Sequence, residues 1–262
     1  MDTRGERVEP FSLRRRATVD SMRMAGRRSD IHGLVEFDVT DARTRIDELE
    51  HATGERLSFT AFIVFCLAQA IDAQPHVQAY RDALGRVVRF DDVDVMVIVE
   101  TTVSGERIGV PHVIRAANRR SLHSIHREIR RAQTTSDVPQ FSRFAPLFFR
   151  LPGVLRRQIY RLPRLAPRRW KQLAGTVGVS AVGMFGAGGG WGITPTNYPL
   201  QLTLGGISTK PGVKDGDIEI RDYLSVTATF DHDVVDGAPA ARFLTQLKEL
   251  VESAHGLDTI AE

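Results

Sequence analysis

The stretch FDHDVVDGAPAARF, residues 230–243, sets His232 four positions before Asp236, with Gly237 next, between a β-patterned run and a helix. A histidine at such a junction suits base chemistry on a thiol. Its unperturbed pKa of about 6.5 leaves it mostly neutral at pH 7, yet able to take a proton from a group near about 8.5. Asp236 would orient a neighbouring group or stabilise charge. The same residues also fit a plainer role, in which Asp231 or Asp236 caps the helix and His232 lies on the surface. Spacing alone leaves both readings open.

The elements that must hold these residues come from the rest of the chain. Its 262 residues are 42% hydrophobic and 26% charged, enough for one large domain or two small ones with a substantial core. The formal net charge is only +3, but it is unevenly placed. No Asp or Glu occurs between Asp137 and Asp215, while Arg143, Arg150, Arg156, Arg157, Arg161, Arg164, Arg168, Arg169 and Lys171 crowd the first half of that interval. Such a stretch seeks anionic company. One cysteine, Cys66, excludes an intramolecular disulfide framework and suits a reducing cytoplasm. The first twenty residues lack the apolar core of a secretory signal, and no run reaches the roughly 20 apolar residues of a membrane span. A cytoplasmic protein is expected.

Residues 10–26 read as a short basic helix opened by Pro10 and Ser12 and closed near Gly26. Leu34 to Thr40 alternates as a strand, and DARTRIDELEHATG is an amphipathic helix ended at Gly54. SFTAFIVFCLAQAIDAQ is apolar nearly all round and too short for a bilayer, which predicts a buried helix with Cys66 packed inside it. RVVRF, VDVMVIVETTV and IGVPHVI follow as strands, then a helix from about Ser121 to Arg131. Between Val138 and Ala174 the rhythm breaks, with Pro146, Pro152, Pro163 and Pro167 among Arg, Phe, Leu and Trp. TVGVSAV, LQLTLGGIS and YLSVTATF restore the strands, and a last helix runs from about Ala238 to Ser253. The alternation predicts a single α/β domain over residues 1–262, with a large mixed sheet flanked by helices and a basic apolar insertion at about 141–171.

Several segments, in order, resemble the catalytic domain of the dihydrolipoamide acyltransferase component of 2-oxo acid dehydrogenase complexes. FDHDVVDGAPAARF is similar to the DHRxxDGAxxAxFL signature, PFSLRRRATVDSM to PLSRMRRAIAERM, and VEFDVT to the VDVT strand. SFTAFIVFCLAQAIDAQPHVQA resembles the helix ending in P-x-x-N-A, VPHVIRAANRRSLHSIHREI resembles VPVIRDADRKSLxEIAxEI, and TVGVSAVGMFG resembles FTISNLGMFG. The resemblance runs from about Pro10 to Leu250. It implies the CoA-dependent acyltransferase fold shared with chloramphenicol acetyltransferase, and acyl transfer between coenzyme A and a thiol. His232 would be the general base. Ser180 would donate its hydroxyl to the tetrahedral oxyanion, and Asp236 would pair with an arginine of the N-terminal helix, Arg15 or Arg16. Gly237 completes the signature. The resemblance further implies a homotrimer with the site shared between subunits, acyl-CoA as substrate, and no metal. Because the matched pattern begins near the N-terminus, no lipoyl group is expected on this chain, and a separate lipoyl-carrying protein or other complex component would supply it.

Departures from the pattern point to what is particular here. The usual Arg after the histidine is Asp233, which would raise the pKa of His232 or disfavour an anionic ligand. AGGGWGITPTNYP replaces a shorter loop, so Trp191 and its glycines would reshape an acceptor channel. These two features leave a non-catalytic scaffold or assembly subunit as the alternative. A membrane contact through 141–171 is argued against by the four prolines. His123 and His126 stand three apart without a third ligand. GAGGGWG lacks the Lys-Ser/Thr of a phosphate loop, and the basic run matches no nucleic-acid motif. The C-terminal VESAHGLDTIAE offers little apolar area for docking trimers together, so a free trimer is expected.

Overall fold

In the computed structural model, which describes residues 7–103, 106–134, 147–181 and 188–258, helix α1 (Leu13–Ala25) begins where Ser12 Oγ accepts the Arg15 N–H at 3.2 Å and stops at Gly26. Ser12 and Gly26 therefore bound the helix as read from the sequence, whereas Pro10, expected to open it, lies before its first turn. Strand β1 (Asp30–Asp38) starts four residues before the alternating run, at Asp30. It does so because β8 continues alongside it as far as Asp231, opposite Asp30, and the ladder satisfies backbone groups whatever the side chains. Helix α2 (Thr40–Thr53) ends at Gly54, whose φ of 73° is the left-handed conformation that glycine adopts freely. Helix α3 (Phe59–Ala73) is buried at nine positions, Cys66 among them.

Two-residue strands β2 (Tyr80–Arg81) and β3 (Val87–Val88) form a small hairpin. They are followed by β4 (Val95–Val103), β5 (Glu106–Ile114) and α4 (Leu122–Thr134). After a helical turn at 147–150 come three short helices, α5 (Gly153–Ile159), α6 (Leu162–Leu165) and α7 (Pro167–Ala174). The prolines that interrupt the sequence pattern open these helices: Pro152 is the N-cap of α5, and Pro163 and Pro167 sit in the first turns of α6 and α7. A missing N–H costs nothing there, since first-turn donors lack an intrahelical acceptor. Residues 141–146 of the expected insertion, and the GMFG segment, lie outside the described residues.

Strands β6 (Val177–Ala181), β7 (Leu200–Lys214) and β8 (Asp217–Asp231) and helix α8 (Gly237–Glu252) complete the chain. The main sheet has six strands in the order β1-β8-β7-β6-β4-β5. β6 runs parallel to both neighbours and the other pairs are antiparallel, so the sheet is mixed, as expected. Alternation assigns its faces. Val95, Val97, Val177, Val179, Leu200, Leu202, Val226, Ala228 and Phe230 point into the core with α2, α3, α4 and α8. Each large side chain buried there contributes about 1.5–3 kcal/mol.

The opposite face carries Ser180, Gln201, Thr203, Ser225, Thr227 and Thr229, in step with the same alternation. Its β4 end is covered by α6 and α7 and by Tyr160 at the end of α5. A second, smaller cluster sits there, with Tyr80, Trp170 and Tyr198 packed among Phe90, Met96, Tyr160, Leu162 and Ala174. The Tyr80 hydroxyl donates to the Thr176 carbonyl at 2.9 Å. Asp20 of α1 is buried and receives Arg156 Nε at 2.9 Å and Arg157 Nη1 at 2.8 Å, which ties α5 to α1. No helix among the described residues is long and apolar enough to cross a membrane.

Candidate active site

The turn after β8 is built around Asp231. Its N–H donates to Pro199 O at 2.9 Å, its carbonyl accepts the N–H groups of Val234 and Val235 at 3.0 Å, and its carboxylate accepts the Asp233 N–H at 3.2 Å and a guanidinium N–H of Arg28. The His232 N–H donates to Ser29 O at 2.8 Å. The backbone at the histidine is thus fixed by the residues that lead into β1 and β7, while its imidazole is 45% exposed. The side chain is held out to solvent by a rigid main chain.

Asp236 takes the N-cap position of α8 with an extended backbone, but its carboxylate makes no capping hydrogen bond. It lies 3.8 Å from His232 Nδ1 and is 82% exposed. That separation is too long for a hydrogen bond, although it is ion-pair range for a protonated imidazole. At Gly237 an added Cβ meets nothing within 4 Å, so neither packing nor backbone requires glycine there within one chain.

The cations at the turn are not the ones suggested by the helix motif. Arg15 and Arg16 are exposed on α1, and neither forms an ion pair with Asp236 among the described residues. Arg28, just beyond α1, binds Asp231 and lies 3.7 Å from Asp30. Burial pushes the Asp30 carboxyl above its ordinary pKa, with Arg28 opposing and Asp231 adding to the rise. Arg28 belongs to no motif, and only the pairing of Asp30 with Asp231 reveals it. Asp233 does not stand as an uncompensated charge beside His232: Arg81 of β2 lies at 3.0 Å and Arg164 of α6 at 3.6 Å.

Ser180 lies on β6, on the sheet face away from the core, and is half-buried. It aligns with Thr203 of β7, which aligns with Thr227 of β8. The two threonine hydroxyls are fully buried and lack hydrogen-bond partners. From this row to His232 the chain runs five residues along β8 from Thr227, with two strand spacings across, a separation of roughly 20 Å. One chain does not bring Ser180 to His232.

The glycine loop meets the Ser180 side of this face. Gly190 bridges to Gly206 at the bulge between Leu204 and Ile207, and its N–H donates to Ser225 Oγ at 3.1 Å. A Cβ on Gly206 would stand 1.8 Å from the Gly188 carbonyl oxygen, so the loop packs backbone to backbone against the strand. Trp191 Nε1 donates to Val35 O at 3.1 Å. The paired histidines of α4 have a structural explanation for one member: His126 is buried, its Nδ1 accepts the Ser58 N–H at 3.0 Å at the start of α3, and its Nε2 lies 2.9 Å from Glu55.

The chain matches the family described as 2-oxoacid dehydrogenases acyltransferase (catalytic domain) over residues 3–139 and 163–257. The unmatched interval, 140–162, falls within the basic apolar stretch. The chain is 27% identical over 234 residues to the lipoamide acyltransferase component of the branched-chain alpha-keto acid dehydrogenase complex of Bacillus subtilis, covering 84% of this chain and 46% of that protein. It is 25% identical over 215 residues to the dihydrolipoyllysine-residue acetyltransferase component of the pyruvate dehydrogenase complex of Zymomonas mobilis, covering 82% and 42%. The chain thus spans less than half the length of these curated relatives. Among solved structures, a probable dihydrolipoamide acetyltransferase from Listeria monocytogenes superposes with a TM-score of 0.69 at 20% identity, covering 97% of both chains. The Azotobacter vinelandii dihydrolipoamide acetyltransferase gives 0.68 at 17%, covering 97% of this chain and 96% of that one. A chloramphenicol acetyltransferase gives 0.50 at 17%, covering 95% and 97%. These likenesses show the fold, and the match along most of the sequence places the chain in the 2-oxoacid dehydrogenase acyltransferase catalytic-domain family.

Proposed function

We propose that the protein transfers an acyl group between coenzyme A and a thiol, with His232 as general base, in a site that two subunits of a homotrimer complete. The observation that carries this reading is the placement of His232. It is an exposed imidazole on a backbone locked by Asp231 and Ser29, roughly 20 Å from the hydroxyl that would complete its site within the same chain. A neighbour supplies that hydroxyl from its own copy of Ser180. The Azotobacter relative adds support: a serine, a histidine and an asparagine four residues after the histidine were investigated there for their role in catalysis. Here Asp236 stands four residues after His232.

The hairpin of β7 and β8 offers the surface for such a neighbour. Beyond Ser208 and Tyr223 its strands pair only with each other among the described residues, β1 pairing with β8 as far as Tyr223 and the described part of β6 with β7 as far as Leu204. Val213, Ile218 and Ile220 near its tip are at least 75% exposed. Apolar side chains on a projecting arm of this kind suit burial against another subunit.

In the reaction, neutral His232 takes the proton of the attacking thiol, either of coenzyme A or of a dihydrolipoyl group carried by another protein. The thiolate sulfur bonds to the thioester carbonyl carbon, and the carbonyl electron pair moves to oxygen. Ser180 donates its hydroxyl to that oxyanion, a contribution of roughly 3 kcal/mol for one such donor. Collapse breaks the original carbon–sulfur bond, and the imidazolium returns its proton to the departing thiolate. Asp236 stabilises the transient positive charge on His232 from 3.8 Å. Incubation of the purified protein with acetyl-, propionyl-, succinyl- and longer acyl-CoA plus dihydrolipoamide, followed by thiol release, tests the reading. Absence of turnover with every pair would refute it.

A further inference from the structure

At the β4 and β6 end of the sheet, helix α7 and the residues after β5 enclose an open cleft of about 490 Å³ lined by Phe90, Asp94, Arg115, Arg168, Lys171 and Gln172. Its acid is turned inward. Asp94 is buried, and its carboxylate accepts Arg115 Nη1 at 2.9 Å, Lys171 Nζ at 3.0 Å and the Ala116 N–H at 2.9 Å. Arg115 also donates to the carbonyls of Lys171 and Gln172, both at 2.6 Å, which pins the guanidinium against the last turn of α7. Lys171 Nζ lies 5.7 Å from the centroid of the Phe90 ring. Arg168, one turn earlier on the helix, is exposed and has no ion pair among the described residues. The next acid, Asp92, is engaged by Arg119 at 2.8 Å.

Three cations and one carboxylate line the cleft, which leaves a surplus of two positive charges. Two of those cations are already oriented by the buried aspartate, and each keeps N–H groups that Asp94 does not use. Pre-oriented ammonium and guanidinium donors beside a free arginine fit a compact dianion with several acceptor oxygens. We propose that this cleft binds the phosphate group of a ligand, as a phosphomonoester or a pyrophosphate. Both Arg168 and Lys171 come from the acid-free stretch, so the site gives that stretch a chemical purpose. The same stretch reaches the catalytic turn, because Arg164 of α6 pairs with Asp233.

The site is tested by titrating the full chain with pyrophosphate in a calorimeter at low salt. Saturable binding is expected, weakening as salt rises. It should fall about tenfold or more in Arg168→Ala, the loss of one charge-assisted contact. Arg169→Ala, an exposed neighbour on α7 outside the cleft, should bind as wild type does. Absence of saturable binding, or equal affinity in Arg168→Ala, overturns the proposal. Displacement separates the sources of the phosphate: coenzyme A without dephospho-coenzyme A points to the nucleotide 3′-phosphate, both together point to the pyrophosphate bridge, and displacement by glycerol 3-phosphate alone points to a separate phosphorylated solute. Each of these three results supports the site. His232→Ala should leave pyrophosphate binding unchanged, so failure of the cleft and failure of the acyl-transfer reading are told apart.

Discussion

Replacing Asp20 by alanine should loosen the attachment of α5 to α1. The side chain is 5% exposed and receives two charge-assisted hydrogen bonds, from Arg156 Nε at 2.9 Å and Arg157 Nη1 at 2.8 Å, with Arg156 Nη2 in ion-pair contact at 2.8 Å. Arg157 is 31% exposed and can turn to water, but Arg156 is 6% exposed and would keep only the carbonyls of Phe149 and Leu151. Removing one member of a buried pair costs about 3 kcal/mol, mainly because the other charge is stranded. For a chain of this length that corresponds to a fall in Tm of about 6–12 °C. Thermal unfolding followed by circular dichroism measures it. Joint replacement, Asp20→Leu with Arg156→Met, should recover most of the loss, since two apolar groups strand no charge. The pH dependence carries a definite sign. Burial works to raise the Asp20 pKa, but the hydrogen bonds and charges of Arg157 and Arg156 hold it below the ordinary 3.8. Its stabilisation is therefore complete above 3.8 and is lost as pH falls through the lower folded value, where wild type and Asp20→Ala should converge. A Tm change under about 2 °C at neutral pH would refute the reasoning.

His232→Ala should lower turnover by about 10²- to 10⁴-fold with little change in Tm, because the imidazole lies outside the core; unchanged turnover would remove the base from this position. Ser180→Ala should reduce kcat by about 10²-fold with KM nearly constant, and a pure KM effect would make the hydroxyl a ground-state contact. Gly206→Ala puts a methyl 1.8 Å from the Gly188 carbonyl oxygen and should cost about 1–3 kcal/mol in urea unfolding, whereas an unaltered midpoint would show that the loop does not pack there. Light scattering should give a mass near three chains of 29.1 kDa; a stable monomer would undo the shared site, and a 24- or 60-chain particle would overturn the free trimer.

The structure also changes how the basic stretch can be probed. Deleting residues 141–171 would remove Trp170 from the Tyr80 and Tyr198 cluster, Arg156 from Asp20, and Lys171 from Asp94. The resulting loss of stability would mask any effect on partners, so the single substitutions Arg168→Ala and Asp20→Ala are sharper tools.

The sequence by itself determined what depends on neighbours along the chain. Ser12 and Gly26 bound α1 as expected, Gly54 ends α2, and the apolar run of α3 is buried. Capping and periodicity act over a few residues and need no knowledge of the fold. The family, too, was legible, because its motifs are short strings in a fixed order. What the sequence left undetermined were contacts between distant segments. Arg81 and Asp233 are 152 positions apart, and Asp20 and Arg156 are 136 apart. Their pairing follows from sheet order and from how α5 to α7 lie across the polar face, and neither has a local signal. Pro152, Pro163 and Pro167 break the sequence pattern yet open helices for the same reason, since a proline interrupts one helix or starts the next according to what packs around it. Only the strand register showed His232 and Ser180 to be far apart in one chain. That register is a tertiary property, fixed by which side chains of β6, β7 and β8 share the core, and it holds apart two motif residues that meet, in the proposed reading, only across subunits.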